Sequence, residues 1–137
     1  MRRLLLLGFV LLAGCGSDRS ESLPAACIQG PGAVMKALAK APAAVTLGGA
    51  PISRCFNRNA HGQDEQIVGT NLLSAAQQLG DRGQAVRLGY LVGAARRGSA
   101  RNGLGDELVR RLEAEAPPSG ARRREYERGL LAGLRTG

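Results

Sequence analysis

The chain has a single histidine, His61, in the polar segment NRNAHGQD, where Asp64 and Glu65 follow it closely. An imidazole that a carboxylate orients can act as a general base, so this segment is the candidate site of a hydrolase. The alternative is a histidine in an exposed loop, followed by two acids in the first turn of a helix, where negative charge favours the helix dipole. No nucleophile elbow, zinc-protease helix or phosphate-binding loop motif occurs in the sequence to favour the enzyme.

Further acids stand close together in two pairs, Asp106 with Glu107 and Glu113 with Glu115. Paired carboxylates supply the acid and the base of a glycosidase. Arg110 and Arg111 lie three and four residues after Glu107, which is the spacing of ion pairs on a helix surface. We therefore expect surface charges at these positions rather than catalytic groups.

Arginine supplies nearly all of the positive charge, since only Lys36 and Lys40 are lysines. Residues 82–101 contain five arginines and no acid. Guanidinium groups bind phosphate and carboxylate through two parallel hydrogen bonds, so the clustered arginines form a candidate surface for an anionic partner. The members of this candidate surface are Arg96, Arg97, Arg101, Arg122, Arg123 and Arg124. The alternative is that these side chains cap helix ends and keep the surface solvated.

The first 18 residues have the layout of an export signal. Two arginines precede a hydrophobic stretch of ten residues, 4–13, and a run this short cannot cross a bilayer, which takes about 20 helical residues. The stretch ends in Leu12-Ala13-Gly14-Cys15, which resembles the lipobox of bacterial lipoproteins. The resemblance covers this segment only and implies that Cys15 is lipidated and becomes the first residue once 1–14 is removed. The alternative is a plain signal peptide that contains a cysteine.

The lipobox resemblance also implies a location and a domain organisation. Two or more acyl chains anchor a protein stably, whereas a single chain holds it only marginally. We therefore expect an exported protein, lipid-anchored to the outer face of a bacterial membrane. The polar, serine-rich residues 15–26 are expected to form a flexible tether, and residues 27–137 a single domain.

The charge balance points to anionic partners. Without residues 1–14, the chain keeps 17 of its 19 basic residues and all 11 acids, which gives a net charge of +6. Such a surface favours phospholipid headgroups, acidic wall polymers or an acidic protein. In the expected compartment, nucleic acid is not a partner.

Two cysteines, Cys27 and Cys55, remain once Cys15 carries a lipid. In an exported chain such a pair predicts one disulfide, and the alternative is two free thiols. The bond would close a loop of 28 sequence steps, which is worth about 3.5 kcal/mol in the chain-entropy model. Two thiols without C-x-x-C spacing and one histidine do not make a metal-ligand set, so we expect neither a metal nor a cofactor.

Hydrophobic residues recur with helical period along most of the chain. Helices are predicted at 31–42, from residue 63 to about 80, from 85 to about 98, at 105–116, and from 120 to the end. The last helix is expected to bury Tyr126, Leu130, Leu131 and Leu134. The stretch 45–58 is interpreted as a loop pinned by Cys55, and its Gly-Gly-Ala-Pro segment leaves a short hairpin as the alternative.

Small residues form a stripe on two of these helices. Ala85, Gly89 and Gly93 are spaced four apart and share one helix face, and so do Gly129 and Gly133. Because each helical glycine costs about 1 kcal/mol relative to alanine, such stripes need a reason, and close approach of two backbones supplies one. We expect the stripes to pack against each other or an adjacent helix. A pocket between them, as in a small-ligand carrier, is the alternative.

A shift of 40 residues superimposes Gly89 on Gly129 and Gly93 on Gly133, together with several other identities. One arrangement that fits is two stacked αα-hairpins, 64–97 and 105–135. Solenoids usually need at least three such units. The predicted fold is therefore all-α, a small bundle of about four to five helices with one disulfide.

These features together predict a non-enzymatic binding or structural module at the bacterial cell envelope. Its arginine-rich surface would dock a partner protein or an anionic surface. The alternatives are a small hydrolase acting on cell-wall or lipid substrates, centred on His61, and a small-ligand carrier.

Overall fold

A computed structural model describes residues 22–56, 62–102, 105–117 and 119–137. Five α-helices make up most of this part of the chain, which confirms the all-α prediction. They are α1 (Pro31–Ala37), α2 (Gln63–Asp81), α3 (Ala85–Asn102), α4 (Asp106–Ala114) and α5 (Gly120–Thr136). Short 3-10 helices occupy Ala25–Ile28, Leu38–Lys40 and Ile52–Cys55.

The described part of the stretch 45–58 contains a small hairpin, where the sequence is interpreted as a loop. Its strands are β1 (Thr46–Leu47) and β2 (Ala50–Pro51), which pair antiparallel. Gly48 and Gly49 form the turn with φ angles of 61° and 83°, a backbone region that favours glycine. The alternative indicated by the glycine pair is therefore the correct one.

The folded domain begins before residue 27. Ala26 is buried in the 3-10 helix Ala25–Ile28, and Leu23 packs against the hydrophobic core. The tether predicted at 15–26 is therefore shorter than expected, because its last residues contribute side chains to the core.

The central element is α3, against which α2, α4, α5 and the 3-10 helix Ile52–Cys55 all pack. Leu88, Tyr90, Leu91 and Val92 are each at most 1% exposed. Complete burial of an apolar side chain of this size contributes about 1.5–3 kcal/mol. This run of buried residues on α3 is the centre of the hydrophobic core.

Gly98 does not end α3, which continues to Asn102. A Cβ atom at Gly98 would lie 2.6 Å from the carbonyl oxygen of Ser53 and 2.8 Å from the ring of Phe56. The glycine therefore makes room for the 3-10 helix Ile52–Cys55 to lie directly on α3, and it is a packing contact rather than a helix stop.

The backbones of α3 and α5 touch along the predicted glycine stripes. A Cβ atom on Gly89 would lie 1.9 Å from the carbonyl oxygen of Tyr126, and one on Gly93 would lie 2.2 Å from that of Leu130. Because the partner number rises along both helices, α3 and α5 run parallel. Contacts this close leave no room for a pocket between the stripes, so a carrier would need its cavity elsewhere.

The glycines of α5 make the corresponding contacts with α3, and the two sets of contacts are related by the 40-residue shift seen in the sequence. A Cβ atom on Gly129 would lie 2.0 Å from the carbonyl oxygen of Val86, and one on Gly133 would lie 2.1 Å from that of Tyr90. These are the contacts of Gly89 and Gly93 with the two helices exchanged. This relation holds for α3 and α5 only. It does not extend to the whole predicted hairpins 64–97 and 105–135, because α4 packs mainly against α2 and α3.

Tyr90 joins the segment before β1 to the end of α5. Its fully buried hydroxyl accepts a hydrogen bond from the backbone N–H of Val45 at 2.9 Å and lies 2.9 Å from the hydroxyl oxygen of Thr136. Thr136 in turn donates to the carbonyl of Ala132 at 3.0 Å. The Tyr90 hydroxyl therefore accepts from Val45 and donates to Thr136.

We expect Tyr90→Phe to lower the free energy of unfolding by about 1–3 kcal/mol, because the buried N–H of Val45 loses its acceptor among the described residues. Urea titration of the variant and the wild type measures the difference. Thr136→Val is the matched control, since it removes the hydroxyl partner of Tyr90 but leaves the bond to Val45, and we expect a smaller loss. Equal stability of Tyr90→Phe and wild type would contradict this account.

Candidate binding surface

The candidate hydrolase segment lies only partly in the described structure. His61 is outside the described residues, and Asp64 and Glu65 are exposed in the first turn of α2. Their negative charge stabilises the start of that helix. Within the described residues, no group of three or more histidine, cysteine or acidic side chains is arranged to hold a metal ion.

The acids at the start of α4 are paired within the chain. Glu107 forms ion pairs with Arg110 and Arg111, the latter at 3.0 Å. The hydroxyl of Ser99 donates a hydrogen bond to Asp106. These contacts match the helix-surface interpretation, and they join the start of α4 to α3.

Arg96 is paired with Glu113 of α4, with 2.6 Å between its Nε and the carboxylate oxygen. Both side chains are partly exposed, so the pair contributes at most about 1 kcal/mol. Burial raises the pKa of Tyr126, the positive charge of Arg96 opposes this rise, the charge of Glu113 adds to it, and Arg123 lowers it. Glu115 follows at the C-cap of α4.

Arg97 caps the end of α5. One of its terminal nitrogens donates to the carbonyl oxygen of Arg135 and lies 3.4 Å from that of Leu134. Carbonyls in a last helical turn lack intrahelical partners, and a cation is favoured there by the helix dipole. Arg101, in the last turn of α3, is exposed.

The three arginines at the start of α5 differ from one another. Arg123 pairs with Glu127 at 2.9 Å, and its guanidinium lies 5.3 Å from the ring centroid of Tyr126, within cation–π range. Arg122 and Arg124 are exposed, without a hydrogen-bond or ion-pair partner among the described residues.

The structure does not bring all six candidate arginines together on one surface, although Arg96 and Arg123 both lie close enough to Tyr126 to lower its pKa. The contact of Gly89 with Tyr126 places Arg122 level with Ala85. Arg96 lies about 16 Å further along the helix axis, at a rise of about 1.5 Å per residue. Because α3 and α5 run parallel, the end of one helix and the start of the other lie at opposite ends of the pair.

A different group of arginines lies on the solvent side of α5. We call the exposed residues there the α5 outer face, and they are Arg124, Glu127, Arg128, Leu131, Leu134 and Arg135. At about 100° per residue they fall within about a third of the helix circumference. The two leucines are 56% and 37% exposed, and the three arginine side chains have no ion-pair partner among the described residues. This is a cationic helix face with large apolar side chains in it.

The prediction that Leu131 and Leu134 face inward is wrong, whereas Tyr126 is buried and Leu130 is partly buried, as expected. Gly129 fills the inward side of α5, and Leu131 lies about 200° around the helix from it. The glycine stripe in the sequence therefore indicates that these leucines point outward, since a helix face that touches another backbone has no room for a leucine.

The N-terminal segment enters the fold next to the end of α5. Cys27 and Cys55 form the predicted disulfide, with 5.7 Å between their Cα atoms. Ser53, in the same 3-10 helix as Cys55, donates its hydroxyl to the carbonyl oxygen of Gly137 at 2.8 Å. The 3-10 helix Ile52–Cys55 thus has both the start of the described chain and its last residue as neighbours.

An open cleft of about 680 Å³ lies between α2 and α4. Phe56, Val68 and Leu108 contribute apolar lining, and Glu65 and Arg111 contribute charged side chains. Small-molecule sites commonly have volumes of about 300–1,000 Å³. The cleft is therefore large enough for a small ligand, and it lies away from the glycine stripes.

The chain matches no protein-family profile, no curated protein and no solved structure. In the described ranges, no helix is both long and apolar enough to span a bilayer. A functional interpretation therefore depends on the residues themselves and on where the fold places them.

Proposed function

We propose that this chain is an exported bacterial lipoprotein, anchored to the outer face of a membrane through Cys15, that acts non-enzymatically as a binding module at the cell envelope. The α5 outer face is the observation that supports it. Its exposed leucines, and its three arginines without an ion-pair partner in the part of the chain that the structure describes, form a surface that suits an anionic partner. The lipobox-like sequence Leu12-Ala13-Gly14-Cys15 supports the anchor.

The proposed docking surface excludes five of the six clustered arginines. Arg96, Arg97 and Arg123 have partners within the chain, so recruiting them to an external anion would first break those contacts. Arg124 belongs to the clustered arginines and also to the α5 outer face. Its guanidinium and those of Arg128 and Arg135 make no hydrogen bond to another described residue and can bind an external carboxylate or phosphate.

The anchor is tested by metabolic labelling with a radioactive fatty acid in a bacterium that processes lipoproteins. We expect the wild-type chain to take up label and sediment with the membranes, because acyl chains hold it there. Cys15→Ser should abolish the label. Ser17→Ala, which leaves the lipobox unchanged, is the matched control and should behave as wild type. A wild-type chain without label would contradict the anchor.

The binding role is tested by photo-crosslinking in living cells. A photoreactive amino acid in place of Arg128 should capture an envelope component, whereas the same group in place of Arg110 on α4 should not. Both positions are exposed, so the comparison isolates the surface. Equal capture at the two positions, or none at Arg128, would contradict a docking role for α5.

Binding of a small ligand is a second candidate function, and the cleft between α2 and α4 favours it. A ligand held there would remain with the purified lipoprotein and would be seen as added mass in native mass spectrometry. The hydrolase alternative gains no support from the described residues, since Asp64 and Glu65 are exposed in the first turn of a helix.

A further inference from the structure

We infer that the α5 outer face lies on an anionic phospholipid bilayer, with Leu131 and Leu134 at the boundary between headgroups and acyl chains and with the arginines on lipid phosphates. The inference rests on the proposed function for its location, and it names the partner of the same surface. The α5 outer face would be a second contact between the domain and the membrane, in addition to the lipid on Cys15.

The exposed leucines favour a bilayer over a hydrophilic polymer. Leu131 is 56% exposed and Leu134 is 37% exposed on a helix whose other side is occupied by backbone contacts with α3. Interfacial helices have this composition, with basic residues beside apolar ones that enter the headgroup region. An acidic polysaccharide or teichoic acid would satisfy the arginines but would leave both leucines in water.

The charges complement an anionic lipid surface. Arg124, Arg128 and Arg135 have no ion-pair partner among the described residues. Of the two acids on α5, Glu127 lies on the same face and is paired with Arg123, and Glu125 is exposed beside the face. Each arginine held near an anionic bilayer strengthens binding by about five-fold. Three such residues together should contribute about 100-fold, which is large enough to measure.

The attachment point allows this orientation. Six residues lie between Cys15 and Ser22, the first described residue, so the distance between the Cα atoms of these two residues is at most about 25 Å. The 3-10 helix Ala25–Ile28 follows, and its Cys27 is joined through Cys55 to the region where α5 ends. Since α5 is itself about 25 Å long, the tether is long enough for the whole helix to lie along the membrane.

The experiment uses the chain from residue 15 onward with Cys15→Ser, which keeps every described residue and removes the lipid. Partitioning is measured by co-sedimentation with vesicles of phosphatidylglycerol and phosphatidylcholine in equal amounts, at about 0.1 M salt, and with vesicles of phosphatidylcholine alone. We expect binding to the anionic vesicles and at least ten-fold weaker binding to the neutral ones.

Two triple variants with the same net charge isolate the face. In the first, Arg124, Arg128 and Arg135 are replaced by Gln, and we expect about 100-fold weaker partitioning. In the control, the exposed residues Arg82, Arg101 and Arg110 are replaced by Gln, and we expect less than a five-fold change. Leu131→Gln should weaken binding several-fold although it leaves the charge unchanged. Circular dichroism and thermal melting verify that each variant is folded.

Equal losses in the two triple variants would overturn the inference, because they would show attraction by net charge without an oriented face. An unaffected Leu131→Gln variant would overturn it as well, since leucines that do not enter the bilayer point to a soluble anionic polymer or a protein. The assay needs no lipid on Cys15, so its failure is separate from failure of the anchor. Lipid captured from position 128 in cells would support the inference, and protein captured there would contradict it.

Discussion

Gly89→Ala is expected to lower the free energy of unfolding by about 3 kcal/mol or more, which is a large part of the roughly 5–15 kcal/mol that stabilises a small domain. The added methyl group would lie 1.9 Å from the carbonyl oxygen of Tyr126 and 2.8 Å from its carbonyl carbon. Both atoms belong to the backbone of α5, so no side chain can rotate to make space. The two helices would have to separate, and separation breaks every contact along the stripe.

The expected loss of stability is large because of the atom that each glycine faces, and not only because the distance to that atom is short. Each stripe presents glycine to a carbonyl oxygen of the opposite helix, an arrangement in which Cα–H groups lie close to oxygen acceptors. A shift that relieves Gly89 also moves Gly93 and its partners, because both helices are rigid over this length. Gly93→Leu should therefore leave the domain unfolded, rather than fill a cavity.

Urea denaturation of Gly89→Ala measures the loss, and Gly69→Ala is the matched control. Gly69 is also in the interior of a helix, but the nearest atom to a Cβ there is a methyl carbon of Leu108 at 3.9 Å, an ordinary contact. We expect Gly69→Ala to raise stability by up to about 1 kcal/mol, because alanine is the better helix former. If both variants gained stability, the close contact of α3 with α5 would be incorrect.

Local signals allowed the helices to be predicted from sequence. Pro31 suits the first position of α1, and acids in the first turn mark the start of α2, so both helices begin where expected. The glycine spacing likewise identified a face that needs close contact. These features depend on neighbouring residues in the chain, and a single sequence contains that information.

The relative direction of helices that are far apart in the sequence could not be predicted from such local signals. Whether α3 and α5 run parallel decides whether the clustered arginines meet, and no local signal gives the relative direction of two helices. Gly98 is a similar case, because its role depends on Ser53 and Phe56, which are more than 40 residues away. For this reason the arginine clusters of the sequence do not coincide with the α5 outer face of the structure.

Reduction of the disulfide between Cys27 and Cys55 is expected to lower the free energy of unfolding by about 3.5 kcal/mol. The bond closes a loop of 28 residues in sequence, and the unfolded chain regains the corresponding conformational freedom when the bond is cut. For a domain of this size the melting temperature should fall by about 10–15 °C. Thermal unfolding with and without a phosphine reductant measures the change.

A chain with both Cys27→Ala and Cys55→Ala separates the crosslink from other effects of the reductant. It should melt close to the temperature of the reduced wild type and should not respond to the reductant. A wild-type chain whose melting temperature is unchanged on reduction would show that the bond constrains nothing that the core does not already hold.

The effect of the disulfide also matters for the proposed anchor, since the 3-10 helix Ala25–Ile28 is where any pull from a lipidated Cys15 would reach the fold. Its crosslink to Ile52–Cys55 transfers that pull to the helix bundle, and without the bond the force would act on the packing of Ala26 and Leu23 and on the hydrogen bond from Asn71 of α2 to the carbonyl oxygen of Cys27 at 3.2 Å.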